Sequence, residues 1–217
     1  MKRALRALLS LLLVLSVALA FVQRRRHKNT LETMASPAAF DVLPRRIQVP
    51  EFSLTNQDGQ PMSRGELKGS IWVAAFIFTR CSGTCPVMVD RMLEVDKALA
   101  GTAGLRLVCI SCDPEYDTPE RLKQYMAASG IASARWSMLT GDRAVIQSLS
   151  RDGFKLSMIA AKDAPELKPV EDVIHSQYLV LVDSEGWIRG YFAGLEVETT
   201  AKIAAAVAEL KREEQGH

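Results

Sequence analysis

The chain has 217 residues, of which 48% are apolar and 24% charged, which excludes an intrinsically disordered polymer and suits one well-buried domain better than two. Its formal net charge of +2 hides an asymmetry, because residues 1–28 hold seven Lys and Arg and no acid, leaving 20 basic against 25 acidic residues in the rest. A moderately acidic body argues against nucleic acid as a partner.

Residues 7–22 form an apolar run interrupted only by Ser10 and Ser16, with basic residues on both flanks. A cleaved signal peptide starts the same way, but no small-x-small site stands out before a polar region, so residues 1–28 read as an uncleaved signal-anchor in preference to a cleaved signal peptide. Basic residues balance across the run and set no orientation. Residues 29–47 mix polar, small and proline residues without a period and read as a tether. The folded domain is expected over 48–217.

Within it, VPEFSLTNQDG predicts a short strand ending in an Asp58-Gly59 turn. SIWVAAFIFT is a dense apolar run rich in β formers and predicts a central strand. PVMVDRMLEVDKALAG predicts an amphipathic helix with Pro86 in its first turn. LRLVCIS is a second buried strand, and Thr118 with Pro119 marks the start of the next helix. RWSML predicts a short strand and GDRAVIQSLSRDG a short helix. SQYLVLVDSEGWIRGYFAG predicts two strands around Ser184-Glu185-Gly186, and VETTAKIAAAVAELKREE a closing helix. This order predicts an α/β fold with a mixed central sheet flanked by helices, thioredoxin-like, with an added N-terminal strand region.

The chemistry concentrates in FIFTRCSGTCPVM, where Cys81 and Cys85 stand at a strand-to-helix handover. Ligands in open α/β sheets gather outside the carboxyl ends of strands. If both cysteines lie in the first helical turns, their i,i+4 spacing puts them on one face, where the helix N-terminus favours thiolates. The polar Arg80, Ser82, Gly83 and Thr84 suit an exposed loop. Such a pair can form a disulfide or hold a soft metal, Cu(I) or Zn(II), with further ligands. His175 is the only histidine inside the folded body and is the best candidate for a nitrogen ligand. In LVCISCDPEYDTP, Cys109 reads as a core residue. Cys112, nearer the strand end, can face the Cys81/Cys85 site. Asp113 suits either a turn or a hydrogen-bond acceptor near the same rim, and Asp117 reads as part of the helix start.

FIFTRCSGTCPVM, ISCDPEYDTPERLKQY and IHSQYLVLVDSEGWIRGYF together resemble the Sco/SenC family of copper chaperones for cytochrome c oxidase assembly, over roughly residues 48–210. The resemblance implies a thioredoxin-like domain on one N-terminal membrane helix, facing the periplasm or another extracytoplasmic space. It implies copper ligation by Cys81, Cys85 and His175, and puts the family's aspartate on Asp113. Cys112 departs from it, since the family typically has an aliphatic residue there.

The leading expectation is therefore a metallochaperone. It takes up copper, as Cu(I) or also Cu(II), from an upstream donor and delivers it to the binuclear copper centre of oxidase subunit II or another acceptor. Cys81 and Cys85 can also reduce the acceptor's disulfide to thiols, becoming a disulfide themselves. The alternative is a membrane-tethered thiol–disulfide oxidoreductase, served by an upstream thiol reductant, in which the same two cysteines are catalytic. The three-residue spacing and the late histidine do not require that alternative.

Overall fold

The computed structural model describes residues 45–156, 158–160 and 173–216. The expected anchor at 1–28 and all but the last residues of the tether lie outside the described residues.

Strand β1 (Ser53–Asn56) turns into β2 (Pro61–Ser63). Asn56 Oδ1 accepts from the backbone N–H groups of Asp58 (2.9 Å) and Gln60 (3.0 Å), and Gly59 takes a positive φ of 74°. The turn was legible in the sequence. The second strand and the one-turn helix α1 (Arg64–Leu67) were not, because three or four residues carry no readable period.

The apolar run folds as β3 (Ile71–Ile77), every residue of which is buried. Helix α2 (Thr84–Ala98) follows, with Pro86 in its first turn, where no intrahelical N–H partner is needed. Strand β4 (Leu105–Ser111) then pairs parallel with β3, from Ile71↔Leu105 to Ile77↔Ser111. Helix α3 (Pro119–Ala128) starts at Thr118, whose hydroxyl accepts from Arg121 N–H at 3.4 Å. Strand β5 (Trp136–Thr140) pairs parallel with β4. Asp142 caps α4 (Arg143–Ser148), which runs into a π-turn over Leu149–Gly153. A small antiparallel pair, β6 (Met158–Ala160) and β7 (Val173–His175), stands apart from the main sheet. The hairpin β8 (Tyr178–Val182) and β9 (Ile188–Ala193) and the closing helix α5 (Thr199–Gln215) complete the described fold.

The main sheet has seven strands in the order β2-β1-β5-β4-β3-β8-β9, with β3 at its interior and β8 antiparallel to it. Alternation along the strands sorts the two faces. Cys109 of β4 meets Met92 of α2 (Sγ to Sδ, 3.7 Å), and α5 packs beside α2 on that face. Trp72 and Phe76 of β3 point the other way and receive Phe154 edge-on, at centroid distances of 5.8 and 5.3 Å. All three rings are fully buried, each stabilising the fold by about 1.5–3 kcal/mol. This mixed, doubly covered sheet is the thioredoxin-like arrangement that the chain order implied. It leaves the carboxyl ends of β3 and β4 side by side at one edge.

Candidate metal centre

The loop between β3 and α2 carries both motif cysteines. Cys81 lies three residues before the helix, and its N–H donates to Phe78 C=O at 3.3 Å, turning the chain back over the end of β3. Cys85 is the second residue of α2 and is fully buried, whereas Cys81 is half-buried. The expectation of two cysteines on one helical face is therefore corrected. The loop, not helical periodicity, brings Cys81 to Cys85.

The expectation of two partly ionised thiols also fails at Cys85. Burial pushes its thiol far above the ordinary cysteine range, and the neighbouring Cys81 pushes in the same direction. A hydrogen bond to the Phe78 backbone opposes them but is outweighed. A helix N-terminus favours an anion, but removing a thiolate from water costs more than one helix end returns. All four cysteines are free thiols in this structure.

Cys109 is core, as expected, and burial pushes its thiol up to about 12. Cys112 follows β4 directly, its N–H donating to Ile77 C=O at 2.7 Å. It is buried, and burial raises its thiol well above the ordinary value, with Cys85, Asp117 and Asp113 adding to the effect and Arg143 opposing it. Cys112 thus stands within electrostatic range of Cys85, on the site's side of the sheet edge.

Two buried carboxylates back the loop. Asp113 accepts from Arg80 Nε at 2.6 Å, as its rim position suggested, and Arg143 stands 3.9 Å away. Arg143 also forms an ion pair with Glu115. Arg80 and Arg121 both lie over the Tyr116 ring, at 4.8 and 3.8 Å from its centroid. Asp117 directly precedes the Thr118 cap of α3, so the helix starts where the sequence indicated, but the Asp117 side chain turns inward and does not cap it. Asp117 is completely buried and accepts from Thr79 N–H (3.1 Å), Thr79 Oγ1 and Ser111 Oγ (2.5 Å), while Ser111 Oγ accepts in turn from Asp113 N–H (3.0 Å). Sequence reasoning missed Thr79, Ser111 and Tyr116. The Asp-x-x-x-Asp spacing was visible, but its partner Thr79 lies 38 residues away.

His175 closes β7, opposite Met158 in the small hairpin. Two residues on, Gln177 C=O accepts from Gly194 N–H at 2.7 Å. Gly194 in turn lies so close to Met88 of α2 that a Cβ there would stand 3.1 Å from Met88 Cγ. The backbone that follows His175 is thereby packed near the first turns of the helix that carries Cys85. Among the described residues, no group of three His, Cys, Asp or Glu side chains is assembled for a metal. Cys81 and Cys85 are brought together, and His175 is positioned through its backbone. A cavity of about 370 Å³, lined by Arg64, Trp72 and Glu185 among others, lies at the opposite end of the sheet and takes no part.

The SCO1/SenC family model matches residues 42–212. The chain belongs to this family. It is 34% identical to the SCO1 protein homolog of Bacillus subtilis over 155 residues, which cover 70% of this chain and 77% of that one. Among solved structures it resembles BsSco, a member of the Sco family of cytochrome c oxidase assembly proteins in which a disulfide switch was identified. The identity is 30%, the TM-score 0.68, and the match covers 78% of this chain and 96% of BsSco. It also resembles ScoI of Bradyrhizobium japonicum with copper bound, at 28% identity and TM-score 0.59, covering 77% of this chain and 99% of that one. Among the described residues no helix is long and apolar enough to cross a membrane, and the apolar segment 7–22 lies outside them.

Proposed function

We propose that this SCO1/SenC protein is a copper-binding metallochaperone of cytochrome c oxidase assembly. In this reading Cys81, Cys85 and His175 are the copper ligands, and copper passes to the binuclear centre of oxidase subunit II. The observation that carries the reading is the thiol pair held at the exposed edge of a family-matched domain, one cysteine buried and the other half-buried. Two sulfurs and an imidazole suit Cu(I), a soft cation satisfied by few ligands. Because the buried Cys85 thiol holds its proton, copper uptake releases it, and the metal replaces the proton as the sulfur's partner. Copper in the related ScoI structure supports the choice of cargo, and the membership of BsSco in a family of cytochrome c oxidase assembly proteins supports the destination.

Cys81 is the accessible sulfur through which transfer begins, since ligand exchange with an acceptor thiol needs a half-exposed partner. The same pair can carry thiol–disulfide exchange with the acceptor, a second role favoured by the disulfide switch of BsSco. The apolar segment within 1–28 supports an anchor in the inner membrane. Residues 29–47 then act as the tether, holding the domain of 48–217 on the extracytoplasmic side.

The test is a Cu(I) titration of the reduced full-length chain against a chromophoric Cu(I) chelator. One equivalent should bind, and Cys81→Ser and Cys85→Ser should each abolish binding at chelator-limited affinity. His175→Ala should weaken it without lowering Tm. Unchanged affinity in the His175 variant would remove that residue from the ligand set, and unchanged affinity in both cysteine variants would sink the reading.

A further inference from the structure

Asp117 is the most deeply buried acid among the described residues, and three donors converge on it. Enclosing a carboxylate costs several kcal/mol unless hydrogen bonds compensate. An acceptor-only group with two oxygens is what three converging donors require. An asparagine offers one acceptor oxygen and presents N–H groups to donors instead.

These donors are not scattered. Two belong to Thr79, which stands two residues before Cys81, and the third belongs to Ser111 at the end of β4. Arg80, the intervening residue, is held by Asp113, whose own N–H donates to the Ser111 hydroxyl. The Asp117 N–H donates to Asp113 C=O at 2.8 Å and closes the turn that carries both acids. Residues 79 and 80 are thus both strapped to the segment 111–117, while Cys85 is held separately by α2 and the core.

We propose that Asp117 is a positioning residue for Cys81, acting through Thr79 to hold the half-buried sulfur at the spacing from Cys85 that copper ligation or a disulfide requires. Its copper consequence rests on the proposed function, whereas its effect on Cys81 itself does not. Groups that orient metal ligands from behind typically change metal affinity by about 10- to 100-fold when altered.

The experiment compares three variants of the full-length chain with the unsubstituted protein. Asp117→Asn removes the charge and one acceptor. Thr79→Val removes the hydroxyl while leaving its backbone hydrogen bond, and Thr79→Ser restores the hydroxyl. Asp183→Asn is the control for a buried acid elsewhere, since Asp183 pairs with Arg189 (3.0 Å) beyond Val182, which lies opposite Trp72 at the other end of β3. Two readouts are taken, namely Cu(I) affinity against a chelator and the rate at which iodoacetamide alkylates Cys81 without copper.

In Asp117→Asn, Cu(I) affinity should fall at least tenfold, and alkylation of Cys81 should rise several-fold. Thr79→Val should move both readouts the same way by a smaller factor, and Thr79→Ser should match the unsubstituted protein. Asp183→Asn should lower Tm while leaving both readouts unchanged. The proposal is overturned if Asp117→Asn behaves like Asp183→Asn. If Asp117→Asn does not fold, Thr79→Val decides, and unchanged readouts there overturn it. An unsubstituted chain that binds no Cu(I) would count against the proposed function and would leave the alkylation comparison to judge Asp117.

Discussion

Replacing Gly194 with alanine tests how the segment after His175 is seated. A Cβ at this position would stand 2.9 Å from Gln177 C=O, 3.1 Å from Met88 Cγ and 3.5 Å from Leu179 Cγ. Backbone torsion is not at issue here, because Gly194 is not among the positive-φ glycines. The cost is purely steric. Met88 is flexible and can give way, but the Gln177 carbonyl is backbone and is tied to Gly194 N–H at 2.7 Å. Inserting a methyl group into such a contact costs roughly 1–3 kcal/mol. For a domain of this size each kcal/mol lowers Tm by about 2–4 °C, so a fall of roughly 2–12 °C is expected. Thermal unfolding followed by circular dichroism measures it, with Gly101→Ala as control. That site has no atom within 4 Å of an added Cβ, and its change should stay within about 0.5 kcal/mol. The displaced Gln177 peptide lies two residues from His175, so Cu(I) affinity should fall alongside Tm. A Gly194→Ala protein that melts within 1 °C of the parent would refute the close seating of this segment on α2.

Three further outcomes are expected. A bulky maleimide should label one thiol, Cys81, in the native protein and four after denaturation, because Cys85, Cys109 and Cys112 are 0–1% exposed; two native thiols labelled at equal rates would contradict the burial of Cys85. Alkaline titration should unfold the domain progressively. The Cys109 thiol has a folded value of about 12 against an ordinary 9.0, so its stabilising effect is complete below pH 9 and is lost as pH rises towards 12. That difference corresponds to on the order of 4 kcal/mol, so denaturant midpoints at pH 8 and pH 11 should differ, and less so in Cys109→Ala. Asp142→Ala removes the cap whose carboxylate accepts from Val145 N–H at 3.0 Å, and should cost about 1 kcal/mol by urea unfolding.

Strands and helices with a continuous apolar face were legible from the residues alone. β3 and β4 announced themselves as dense apolar runs, and Thr118 and Asp142 marked their helices by local capping chemistry. The three-residue strands β2, β6 and β7 were not legible, because they hold their shape through pairing and not through pattern. At the site, Cys81 and Cys85 stand together where β3 hands over to α2, with Asp113 on Arg80 beside them, but the ionisation of Cys85 was misjudged. Sequence displays the helix N-terminus that favours a thiolate and hides the burial that opposes it.

The sequence by itself determined the fold class, the handover from buried strand to helix, and which residue types stand at that handover. Spacing, periodicity and capping act within a few residues, so a linear reading detects them. Tertiary structure alone decided which cysteine is sealed and which is accessible, and that Asp117 grips Thr79 from 38 residues away. Burial and hydrogen bonding between distant strand ends are properties of the sheet edge where β3 and β4 stop together, and that edge exists only once the chain has folded.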